Sequence, residues 1–177
     1  KPNNFNGPPR PELEEEWKRL TGNDTIRVTF SEVEQFSNRD ETIIQLNDEK
    51  GGYFTTVAVY HGLHCVQRLH HYIYSSHYYP NLTQDQQFVL QRHAEHCLDW
   101  LRQYVMCNAD TTLMPARWTA NSPKPAVLDW GNHQCVVWDD IENWMAARAF
   151  DPYAPGVLMH PRFGKPKSPL LTPVGST

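Results

Sequence analysis

The sequence predicts a mainly α, α+β domain: two antiparallel histidine-bearing helices, a third helix, a small β-hairpin and long irregular Pro-rich ends, stabilised by disulfides. Three observations predict it. Thr83 to Cys107 runs on without a Gly or Pro, at helical period. Two β-rich runs, Glu41–Leu46 and Tyr53–Tyr60, flank the turn-forming Asn-Asp-Glu-Lys-Gly-Gly. The four cysteines make an even number and accompany two sequons, a pattern of disulfide-permissive compartments.

The 177 residues divide into an N-terminal extension over 1–40, a metal-binding domain over 41–150 and a Pro-rich tail over 151–177. The first eleven residues hold four prolines and read as an extended lead-in. Pro11 to Leu20 has proline and acids first and bases last, the charge order a short helix prefers. Thr25 to Phe30 alternates and predicts a strand. A helix is expected over Tyr60–Tyr78, ending before Pro80. A second begins near Thr83, which forms a capping box with Gln86. Residues 108–132 are turn-rich. His133 to Phe150 predicts the third helix, with Val137, Ile141, Trp144 and Met145 along one side.

A net charge of −4 points away from nucleic acid and anionic membranes. No apolar run reaches the roughly 18 residues that a membrane span needs. The sequons Asn23-Asp24-Thr25 and Asn81-Leu82-Thr83 make Asn23 and Asn81 candidate glycosylation sites in the secretory pathway.

The word His-x-x-His-Cys occurs twice, at 61–65 and 93–97. Helical residues three apart share a face, so His61 pairs with His64 and His93 with His96. The same turn places Cys65, Arg68 and His71 near the first pair, and Cys97, Trp100, Tyr104 and Cys107 near the second. Adjacent antiparallel helices would bring four imidazoles together. Such a set suits copper, zinc, iron or nickel rather than calcium or magnesium. His-Ala-Glu-His lacks the spacing of a zinc peptidase. Without a Cys-x-x-Cys, Cys65, Cys97, Cys107 and Cys135 are read as disulfide partners rather than thiolate ligands. Cys97 and Cys107 lie about 15 Å apart on one helix and cannot pair. That leaves Cys65–Cys97 with Cys107–Cys135, or Cys65–Cys107 with Cys97–Cys135.

The strand entering "HGLHC", then "HAEHCLDWLRQYVMCNAD" and "HQCVVWDDIENW", resembles the UstYa-type family of fungal biosynthetic oxidases over about residues 53–148. The resemblance implies a domain in the secretory-pathway lumen, anchored by a membrane helix preceding Lys1. It also implies copper- and O2-dependent oxidative cyclisation or crosslinking of a ribosomally made precursor peptide, or of another secondary metabolite, in mycotoxin biosynthesis. Copper suits one-electron oxidation where redox-silent zinc does not. The family words map onto His61, His64, Cys65, His93, His96, Cys97, Cys107, His133 and Cys135.

One copper would be met by the four histidines of the two words. Two would need six, with His71 and His133 completing the set. Tyr72, Trp100 and Tyr104 are candidates to line a substrate groove, and Asp99 and Asp110 to orient a ligand imidazole. Arg68 and Arg102 are candidates for a peptide carboxylate, with a structural ion pair as the commoner fate of such a residue. His70 faces away from His61 and is read as packing; His77 and His160 are read as surface residues. The expected partners are a second copy of the chain or a paired homologue, and the alternatives to the oxidase reading are a non-catalytic partner subunit and a zinc-stapled interaction domain.

Overall fold

The computed structural model describes residues 4–36, 43–128, 131–165 and 173–174. Helix α1 (Pro11–Thr21) begins on the proline, carries Glu12 and Glu14 in its first turn and Lys18 and Arg19 in its last, and buries Leu13 and Trp17. Strand β1 (Ile26–Val28) is shorter than the expected Thr25–Phe30. Thr29 ends it by capping a one-turn helix α2 (Phe30–Val33): the Glu32 carboxylate accepts the Thr29 N–H at 2.8 Å. A 3₁₀ turn follows at Glu34–Phe36.

The hairpin expected of Glu41–Leu46 and Tyr53–Tyr60 is largely replaced by another pairing. Strand β2 (Tyr53–Thr55) pairs antiparallel with β1, Ile26 opposite Thr55 and Val28 opposite Tyr53. The first arm keeps a single bridge, Gln45 to Tyr53, flanked by Leu46 N–H to Gly52 O and Phe54 N–H to Ile44 O, both 2.9 Å. Glu41 and Thr42 lie outside the described residues. Burial decides the choice of partner, because Ile26 is 0% exposed while Ile44 is 52% exposed. Arg27 locks the arrangement, donating to both Asp48 carboxylate oxygens at 2.7 and 2.6 Å and to Gly51 O. Gly52 holds φ +87°, and a Cβ there would lie 2.8 Å from Val28 O, so the β1 contact requires glycine.

Helix α3 (Ala58–Ile73) starts two residues before the expected point and stops short of Tyr78. Tyr74 leaves helical geometry (φ −105°, ψ 35°), and the chain resumes as a single turn, α4 (Ser75–Tyr78). Helix α5 (Gln84–Cys107) follows the expected span, with Thr83 Oγ1 accepting Gln86 N–H at 3.3 Å and Gln86 Oε1 accepting Thr83 N–H at 2.9 Å. Ring contacts fix its direction. His61 meets His96 and His64 meets His93, so the two helices run antiparallel. The stretch read as turn-rich contains a hairpin, β3 (Ala116–Thr119) with β4 (Ser122–Val127). Pro123 and Pro125 disguised β4, since proline in a strand is confined to edges such as this one.

Helix α6 (Trp138–Ala146) is half the expected length. Asp139 and Asp140 mark its first turn, and His133 and Cys135 precede it. Its Met145 joins Ile26, Val28, Val33 and Tyr60 in the main core, with Ile141 and Trp138 packed against them. Val137 is exposed and Trp144 lies partly exposed under the Arg148 guanidinium, so the predicted apolar side holds only in part. A second core joins Tyr78, Tyr79 and Leu90. No helix among the described residues is long and apolar enough to cross a membrane.

No disulfide is formed, and all four cysteines carry free thiols. Cys65 and Cys97 are buried on facing helices, near enough for each thiol to act on the other's ionisation. Burial raises both thiol pKa values, which opposes a thiolate-ligand role. Cys107 and Cys135 are exposed.

Helices α3 and α5 come close together at Gly62, where a Cβ would sit 3.1 Å from Trp100 Cζ3. Gly62→Leu overpacks this contact and should lower stability by about 1–3 kcal/mol. Gly62→Ala should stay near neutral, because about 1 kcal/mol of helix propensity offsets a small steric penalty. Denaturant unfolding of both variants checks this; equal stabilities would contradict the close approach.

His71 is a core residue, 3% exposed, with its ring 4.1 Å from that of Tyr78 and neither nitrogen hydrogen-bonded. Burial, then the charges of Arg68, His70 and His64, lowers its pKa to about 3. The unfolded chain therefore takes up a proton below about pH 6.5 that the folded chain refuses. Stability present above pH 6.5 is lost progressively as pH falls toward 3. The thermal midpoint of the metal-free protein should drop between pH 7.5 and 5, and drop less in His71→Phe. Identical pH dependence in the two proteins would contradict this.

Candidate metal centre and adjoining cleft

The doubled word builds a closed ring of imidazoles between α3 and α5. Ring centroids lie 6.3 Å apart for His61–His64, 6.0 Å for His64–His93, 6.4 Å for His93–His96 and 5.9 Å for His96–His61. Each helix supplies one pair through its i, i+3 spacing, and the antiparallel crossing joins the pairs. His96 is exposed and the other three are half-buried.

Electrostatics favour the neutral ligand form at His61, His64 and His93. His64 is lowered to about 4, by burial first and then by Arg68, His93 and His61. His93 is lowered by burial, then by Arg68, His96 and His61. His61 is lowered by burial, then by His96. Neutral imidazole is the state that binds metal.

Among the described residues, no three His, Cys, Asp or Glu groups stand close enough to hold one ion. The ring is wider than a loaded one. Nitrogens about 2.0 Å from a tetrahedral ion leave imidazole centroids about 5 Å apart. Closing each gap takes about 1 Å, within reach of the broad imidazole χ2. The donor set is all imidazole and suits copper in either oxidation state, or zinc.

Trp100 stands edge-on to His61 at 4.5 Å, and Tyr104 stacks on Trp100 at 5.1 Å, so these two residues wall the ring on one side. Tyr72 is 39% exposed and is not among the ring's aromatic contacts. Asp99 accepts from Arg102 and Gln103, so it does not orient an imidazole, and Arg102 has the structural ion pair expected of it. Asp110 does bind an imidazole, that of His133, at 2.5 Å. The Asp110 carboxyl is held far below its usual range, first by Thr112 and then by His133. None of the ring's contacts involves His133, however, and His71 lies in the core. The sequence named both as further ligands, and the structure brings neither into the ring. His70 packs as expected, with Nε2 2.8 Å from Gly7 O, and His77 and His160 are exposed. Asn23 and Asn81 are exposed as well.

A cleft of about 800 Å³ opens beside the ring, with His64 and Arg68 on one wall and Phe54, Phe150, Asp24 and Tyr153 among the others. Phe150 N–H donates to Thr25 O at 3.3 Å, which holds the two loops together. Sequence reasoning missed this cleft because residues 22–25 and 149–158 meet only through the fold. Burial raises the Asp24 carboxyl pKa, with Thr25 and Arg68 acting against that rise.

The family model described as mycotoxin biosynthesis protein UstYa matches residues 1–148. The UstYa family oxidase phomYd of Diaporthe leptostromiformis is 26% identical over 163 residues, covering 90% of this chain and 52% of its own length. The UstYa family oxidase phomYc of the same organism is 28% identical over 160 residues, covering 84% of this chain and 60% of its own. The oxidase ustYa of Aspergillus flavus is 36% identical over 90 residues, covering 50% of this chain and 38% of its own. The chain thus spans about half the length of the curated relatives it matches, and no solved structure matches it. With the family model covering most of its length, the chain belongs to the UstYa family of mycotoxin-biosynthesis proteins.

Proposed function

We propose that this chain is the metal-binding domain of a copper-dependent oxidase that crosslinks or cyclises a precursor peptide in fungal secondary metabolism. The observation that carries the reading is the closed ring of His61, His64, His93 and His96, supported by relatives named oxidases. These four residues would hold one copper ion. A second ion would need ligands that His71 and His133 do not bring to the ring.

Bound copper supplies one-electron redox chemistry with dioxygen as the terminal oxidant. Overall, two substrate X–H bonds are lost and one X–Y bond forms, while two protons and two electrons pass to dioxygen. The chain's own contribution is positional. Trp100 and Tyr104 cover one side of the ring and exclude water there. The cleft beside His64 admits a substrate side chain. The facing Cys65 and Cys97 are placed to become a disulfide in an oxidising lumen, pinning α3 to α5. Glycans on Asn23 and Asn81, an N-terminal membrane anchor and a homologous partner chain complete the reading for the whole protein.

Protein made in a eukaryotic secretory host should retain about one copper per chain by elemental analysis. His64→Ala/His96→Ala should lose most of that copper and all turnover, yet stay helical, because Ala is a better helix former than His. Copper-loaded protein should convert its precursor peptide to a product lighter by two hydrogens only when dioxygen is present. Retained copper and turnover in the double variant would refute the ligand set. A preparation that holds only zinc and cannot take copper would favour an interaction domain. Turnover only after a homologue is added would move this chain to a partner role.

A further inference from the structure

Arg68 stands beside the ring, and among the described residues no carboxylate pairs with it. Its guanidinium donates to His64 Nε2 at 3.4 Å and to the Tyr79 hydroxyl oxygen at 3.2 Å, and both are neutral groups. Among the described residues it forms no ion pair, whereas Arg19, Arg27 and Arg102 each do. Asp24, across the same cleft, is coupled to it but lies beyond ion-pair distance. A half-buried guanidinium held only by one imidazole and one phenol leaves its strongest hydrogen-bonding capacity, for a planar oxyanion, unused. A metal ion in the ring would add positive charge beside it and sharpen the demand for an anion.

We infer that Arg68 is the substrate-anchoring residue of this centre, binding a peptide carboxylate in the cleft so that a neighbouring aromatic or aliphatic side chain lies against the four-histidine ring. This rests on the proposed oxidase reading for its purpose, and on the cleft alone for its geometry. Phe54 and Phe150, edge-to-face at 6.1 Å, give the apolar wall for the body of the substrate. The cleft's volume of about 800 Å³ is sufficient for a few residues of peptide. The substrate class is therefore an acidic peptide whose carboxylate, terminal or side-chain, sits within a residue or two of the oxidised position.

The test uses four short probes titrated by NMR: acetyl-Tyr-Gly as free acid and as amide, and acetyl-Tyr-Asp-amide against acetyl-Tyr-Asn-amide. At least one acidic probe should bind about tenfold or more tightly than its neutral counterpart, as a hydrogen bond to a charged group implies. Preference within the first pair assigns a C-terminal carboxylate, and preference within the second assigns a side chain. Arg68→Gln should erase the preference and Arg68→Lys should keep part of it, each variant compared with its own neutral probes. No acid preference in the wild-type protein overturns the inference, and that result needs no variant to fold. So does a preference that survives in Arg68→Gln. Copper content read in parallel separates the two claims. Acid preference without copper would sink the oxidase reading and leave the carboxylate site, while copper without acid preference would do the reverse.

Discussion

The close crossing of α3 and α5 is the contact on which the rest of the site depends. Gly62 eases it, because a Cβ at that position would already lie 3.1 Å from the Trp100 ring and a longer side chain would strike it. Once the helices touch there, Cys65 and Cys97 face each other in the interior and the two histidine pairs are carried into register. The word His-x-x-His-Cys thus encodes two things at once. Its histidines supply donors on one helical face, and its cysteine, one position on, turns inward to seal the helix contact. Neither word builds a centre alone, since a single helix turn presents only two imidazoles.

Charge gives the site its second constraint. Among the described residues no carboxylate hydrogen-bonds to the ring, Asp99 acts on His96 only through its charge, and the Arg68 guanidinium donates to His64. Burial and Arg68 together hold His64 and His93 neutral, which favours metal uptake and disfavours protons. The one strong acid–imidazole pair, Asp110 with His133, stands apart from the ring on the exposed segments after α5 and before α6. Its separation explains why two residues with plausible ligand chemistry contribute nothing to the ring.

What the sequence made legible is local. Pro11 and the graded charges set α1, and the Thr83–Gln86 box set the start of α5 to within a residue. The i, i+3 pattern placed four histidines on two facing helices. What it hid is long-range. β2 chose β1 over its neighbour in sequence because Ile26 and Val28 bring more apolar surface into the core. Pro123 and Pro125 masked an edge strand. His71 looked like a further ligand beside the first pair until α4 folded Tyr78 over it. The cleft was invisible because its walls come from segments more than a hundred residues apart, and with it the contrast between a paired Arg102 and an unpaired Arg68.

The central claim, that the two words converge on one metal centre, is tested most directly by anomalous diffraction at the copper edge from crystals of the copper-loaded protein. The account predicts a peak between α3 and α5, about 2.0 Å from imidazole nitrogens of both helices, with His61 or His64 on one side and His93 or His96 on the other. A peak held by His133, His77 or His160, with the four-histidine ring unbound, would contradict it.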